Sequence, residues 1–194
     1  MTPIVYIKMP THICQWAYHA YGCPVVFPAI GYEVAVIRRF MSKPPEASLL
    51  PVEEESLHAM RHYEASRLHC SMAAVAADAE WTERRWQVYP DDYLAIRLPE
   101  SKAKPAEEYC YLGPRARKAV GEVVADLFKI DLWSSLKDLA DRTCRLSSLI
   151  GAWCEQRGIG IDYEDTVRQC FYRMREQHAK RGVNLISPTR INKN

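Results

Sequence analysis

From Gly113-Pro114 to about Arg181 the sequence reads as helix, with apolar side chains recurring at helical spacing, and this stretch most constrains the fold. Pro114 suits a first helical position, and Ala119, Val123, Val124, Leu127 and Phe128 supply the first apolar face. Asp131 is expected to cap a second helix carrying Leu132, Trp133, Leu136 and Leu139. A third holds Leu146, Leu149, Ile150 and Trp153 and ends at Gly158. Asp162, three residues before Asp165, is expected to cap a fourth. Residues 183–194 lack periodicity and read as a loose tail.

The rest of the chain is shorter-grained. Ile4 to Met9 is β-branched and aromatic and is stopped by Pro10, as a strand would be. Thr11 can cap a helix to about Ala20, with Gly22 beyond its end. Val25-Val26-Phe27 between Pro24 and Pro28 predicts a short edge strand, because proline has no ladder donor. Gly31 opens a helix to about Met41, and Ser42 to Pro45 with Leu50-Pro51 form a connector. Residues 52–87 contain no Pro or Gly and predict a long helix, with Leu57, Leu68, Met72, Val75 and Ala79 on one face. Tyr93 to Leu98 alternates as a half-buried strand should, and Ser101 to Glu108 is a polar loop.

The expectation is therefore a predominantly helical α+β fold, with about three short strands and a C-terminal bundle resembling a helix-turn-helix. Its segments are an N-terminal α+β part (1–45), an acidic helical insertion (46–90), a strand plus helical bundle (91–182) and the tail. A chain of 194 residues that is 48% hydrophobic can bury a sizeable core, and no apolar run approaches the roughly 20 residues a membrane-spanning helix needs. Seven cysteines, an odd number without Cys-x-x-Cys spacing, and the lack of a signal-peptide pattern predict a cytoplasmic protein with free thiols.

Net charge is only +2, so the chain is no polycation, but the charge is unevenly placed. Residues 46–100 hold five basic and eleven acidic side chains, whereas residues 163–194 hold seven basic and three acidic. In the last helix Val167, Cys170, Phe171, Met174 and His178 fall on one face. Arg168, Arg175 and Tyr172 lie on one flank, Arg173 and Lys180 on the other, and Arg181 near the end. Such a helix can rest its apolar stripe on its neighbours and offer cations to phosphates and base edges. The plainer reading is a solvated surface helix. A second basic cluster, Arg115, Arg117 and Lys118, stands at a helix N-terminus, where cations are unfavourable unless an anion or local glutamates offset them.

Chemistry is harder to find. His58, His62 and His69 share a helical face with Glu55, but they lack the intervening Glu of a metalloprotease motif and no second ligand cluster completes a site. His58 to Arg61 has the His-x-x-Arg spacing of tyrosine recombinases, without the other motifs that chemistry requires. No phosphate-binding Gly-rich loop, nucleophile elbow or paired-carboxylate motif occurs, so neither a cofactor nor a metal nor catalysis is expected. Trp81 and Trp86, among acidic neighbours, would suit a partner surface.

The phrases Tyr6 to Pro10 with Gln15-Trp16, Tyr111 to Ala119, Phe128 to Trp133 and Leu149 to Glu155 resemble a group of small uncharacterised proteins of bacterial prophages and conjugative elements. That resemblance implies a DNA-associated accessory protein and carries no residue role. Double-stranded DNA is thus the first expected partner, with a possible homo-oligomer. The alternative is an assembly component that uses the long acidic helix.

Overall fold

A computed structural model describes residues 3–44, 92–137 and 145–180. The long acidic helix, the histidine stripe, Trp81, Trp86, Leu139, Arg181 and the tail lie outside the described residues. The elements are β1 (Ile4–Lys8), α1 (Thr11–Tyr21), α2 (Tyr32–Phe40), β2 (Tyr93–Arg97), α3 (Pro114–Leu136), α4 (Leu146–Gln156), a 3-10 turn (Ile161–Tyr163) and α5 (Glu164–Lys180). The chain divides into two compact units, Met1–Val124 and Ala125–Asn194, and the boundary falls within α3. The α+β class and the helical majority are as the sequence predicts.

In the first unit β1 and β2 pair antiparallel, with Val5 opposite Ile96 and Ile7 opposite Leu94. Among the described residues the sheet has two strands rather than about three. Val25 contributes only a parallel bridge to Ile96, because Pro24 and Pro28 leave too few donors for a ladder. β2 also differs from the half-buried strand expected, since Tyr93, Leu94, Ala95 and Ile96 are all buried. Side chains alternate across a strand, so both faces must be covered. Tyr6, Tyr93 and Ala95 pack with Ile4 and with Tyr18 of α1. On the opposite face α3 comes close at Gly121, where a Cβ would stand 3.5 Å from Ile7 Cγ2.

The outer edge of β2 is satisfied by two devices. The Tyr18 hydroxyl donates to Tyr93 O at 2.8 Å and accepts from Ala95 N at 2.9 Å. Val25 N then donates to Ala95 O at 2.8 Å, and Arg97 N to Val25 O at 2.9 Å. Four groups that would otherwise be orphaned beside buried side chains thus have partners.

His12, in the first turn of α1, is buried, and burial holds its imidazole below the ordinary histidine pKa. The folded state therefore favours neutral His12, whereas the unfolded chain takes up a proton near pH 6.5. This contribution to stability is complete above about pH 6.5 and lost as pH falls from there through the lower folded value. Urea midpoints should drop between about pH 7.5 and 5.5, and His12→Gln, which cannot titrate, should flatten that slope.

The second unit departs from the expected helix boundaries at two places. α3 continues through Asp131 without a break. Val124, Phe128, Leu132 and Leu136 are all buried at i, i+4 spacing across the predicted boundary, so packing keeps the backbone helical. Asp131 instead accepts from Arg157 Nη2 at 2.8 Å. Nor does Asp162 cap α5. It lies inside the 3-10 turn, which runs directly into Glu164, so the extended conformation of a cap falls on Gly160.

Gly158 ends α4 as predicted. Its φ is +68°, Gly158 N donates to Glu155 O at 3.1 Å and Ile159 N to Cys154 O at 2.9 Å. Buried Ile159 and Cys154 complete a Schellman termination. Gly158→Ala should cost about 1 kcal/mol in urea unfolding, the strain of a side chain in the left-handed region.

Candidate nucleic-acid interface

α5 has a buried underside and a charged outer surface. Val167, Phe171 and Met174 are buried, while Cys170 and His178 are half-buried beside them. Trp133 of α3 stacks on His178 at 4.4 Å between ring centroids and packs against Phe171 at 5.5 Å, while Phe128 meets Trp153 edge-on at 5.8 Å. These aromatic contacts fix which face of α5 is left to solvent. Two internal donors, Trp153 Nε1 and Arg157 Nε, are buried without a partner among the described residues.

On the outer side Arg168, Tyr172 and Arg175 follow one another at i, i+4 and i+7 along one flank, and Arg173 and Lys180 lie seven residues apart along the other. Between the flanks runs a polar strip of Asp165, Gln169 and Glu176. The five described residues anticipated on this helix therefore sit on two rows. Two of the cations are engaged within the helix: Arg168 pairs with Asp165, and Lys180 Nζ lies 2.8 Å from Glu176 Oε1. Lys180 holds the Glu176 carboxyl below its ordinary pKa. Among the described residues Arg173 donates only to Gln169 Oε1, at 3.4 Å, and no carboxylate pairs with Arg175. Exposed pairs such as these are screened by solvent and contribute little, so they are readily exchanged for a phosphate.

The second cluster belongs to the first unit. Arg115 and Lys118 are exposed. Arg117 folds back, its Nε donating to Leu112 O at 2.8 Å and its guanidinium lying 5.9 Å from the Tyr111 ring centroid, so it acts in the fold. Of the glutamates that might neutralise this cluster, Glu108 pairs with Lys43 at 3.1 Å.

Neither of two thiols here is a ready nucleophile. Burial, with the nearby Glu164 carboxylate, pushes Cys154 up to about 11. Cys170 is also raised by burial, which the charges of Lys129 and Arg173 oppose. Among the described residues no three His, Cys, Asp or Glu side chains gather as a metal site. Sequence reading missed Lys104, Tyr18 and Arg38, which join segments far apart in the chain and leave no local signal.

No protein-family profile, curated protein or solved structure matches the chain. The functional reading rests on its own residues.

Proposed function

We propose that this chain is a non-enzymatic nucleic-acid-binding accessory or regulatory protein, acting in the cytoplasm as a component of a prophage or other mobile element and contacting double-stranded DNA through α5. The observation that carries the reading is the layout of that helix: cations on two flanks, a polar strip between them and a buried apolar underside. A helix lying in the major groove meets a phosphate strand on either side and base edges along its middle. Arg168 and Arg175 with Tyr172 would serve one strand, and Arg173 and Lys180 the other. Gln169 suits adenine, and Glu176 the cytosine amino group. Exposed Arg115 and Lys118 offer phosphate a further cationic surface on the first unit. The described cysteines are free thiols, which fits a reducing compartment.

About four to six phosphate contacts imply that log K falls with log salt at a slope of roughly −4 to −5. Anisotropy of a labelled duplex across a salt series measures it. Changing Arg168, Arg173 and Arg175 together to alanine should weaken binding at every salt and reduce the slope by about 3. An unchanged slope, or no duplex binding even at low salt, would overturn the assignment.

A further inference from the structure

The first unit carries exposed apolar side chains in the segment from Val26 to Phe40. Among the described residues seven large hydrophobic side chains are exposed, and four of them, Val26, Ile30, Tyr32 and Phe40, fall between positions 26 and 40. Ile30 is 99% exposed at the tip of the turn leading into α2. Single exposed apolar residues are ordinary, but an exposed apolar side chain at a cavity is a recognition feature, and Val26 itself lines one. Such a cavity is present, about 180 Å³ in volume, with Phe27, Val34, Ile37 and Leu98 as its apolar lining and Arg97 and Glu100 among its charged residues.

Arg38 fixes these parts against one another. Its Nη1 donates to Ala29 O at 3.4 Å and its Nη2 to Glu100 O at 3.1 Å. One guanidinium therefore ties the turn that bears Ile30 to the segment that bears Glu100, placing knob and cavity side by side before any partner arrives. Preorganisation of this kind lowers the ordering cost of association.

We infer that this face binds a second copy of the chain, with Ile30 of each copy entering the cavity of the other. Size favours a single side chain, since sites for drug-sized ligands run to about 300–1,000 Å³. Charge favours self-recognition over a foreign partner. The cavity carries one cation and one anion, Arg97 and Glu100, both exposed and neither ion-paired among the described residues. Under two-fold symmetry each contact occurs twice with roles exchanged, so Arg97 meets the partner's Glu100 and Glu100 meets the partner's Arg97. A contact made by one apolar side chain and one ion pair in each direction is small, so the dimer is transient, with a Kd of about micromolar or weaker.

Sedimentation velocity of the full chain across a concentration series tests the inference. The wild type should show a concentration-dependent dimer. Ile30→Asp, at a fully exposed position that folding does not use, should raise the dimer Kd by more than about a hundredfold. Arg97→Glu and Glu100→Arg should each weaken the dimer, and the double exchange should restore it. A chain that stays monomeric throughout overturns the inference and leaves the cavity to an apolar side chain of another protein. A dimer indifferent to Ile30→Asp, or a double exchange that restores nothing, overturns it equally. None of these residues belongs to α5, so the duplex experiment stands or falls separately.

Discussion

Tyr18→Phe is expected to destabilise the first unit by about 2–3 kcal/mol, because it strips the partner from two backbone groups at once and leaves the ring in place. The hydroxyl bridges Tyr93 O and Ala95 N on the outer edge of β2, and Ala95 is fully buried. A buried amide or carbonyl left unpaired costs about 1–3 kcal/mol, far more than the net gain of an ordinary hydrogen bond. Urea unfolding should show a lower midpoint at unchanged slope. Amide exchange gives the sharper readout. In the variant the Ala95 amide should exchange much faster, while the Arg97 amide, held by Val25, should change less. A loss below about 0.5 kcal/mol would mean that water reaches this edge and that Tyr18 is not its cover.

Lys104→Met should cost about 2–3 kcal/mol by the same measurement, from lost charge-assisted hydrogen bonds and lost interaction with a helix end. The Lys104 ammonium donates to Arg38 O at 3.0 Å, Arg39 O at 3.1 Å and Met41 O at 2.7 Å. These carbonyls close α2, which has no side-chain cap at its start and no glycine at its end. A compact ammonium can direct three donors to converging carbonyls, whereas a planar guanidinium cannot, so Lys104→Arg should recover only part of the loss. Methionine keeps the apolar stem, so the comparison isolates the charge and its donors. Because α2 supplies Val34 and Ile37 to the apolar cavity, fraying at its end should also weaken the self-association inferred above.

The helix-ending glycine, the apolar underside of α5 and the strands at Ile4 and Tyr93 were legible in the sequence because each depends on a local property. Gly158 tolerates a positive φ, Val167, Phe171 and Met174 repeat at helical spacing, and β-branched and aromatic runs favour extended chain. The candidate interface was legible to the same degree: the sequence places the basic residues on two flanks. It does not say that Arg117 turns back to Leu112 O, or that Arg168 and Lys180 pair within their own helix.

Capping by Asp131 and Asp162 failed as an expectation because capping residues act only where the backbone leaves the helix, and distant packing decides that. Phe128, Leu132 and Leu136 keep α3 continuous past Asp131, and Arg157, 26 residues along the chain, takes its carboxylate. In the same way β2 proved buried on both faces once α1 and α3 had covered them. The amino-acid order alone determined the helical majority, the strands at Ile4 and Tyr93 and the uneven charge, all carried by nearest neighbours and periodicity, while the third strand expected at Val25 did not form. Tertiary structure alone decided that Tyr18 seals the sheet edge, that Lys104 closes α2 and that Arg38 fixes Ile30 beside its cavity. Each of those is a hydrogen bond to a backbone group remote in sequence, and side-chain identity does not specify such a partner.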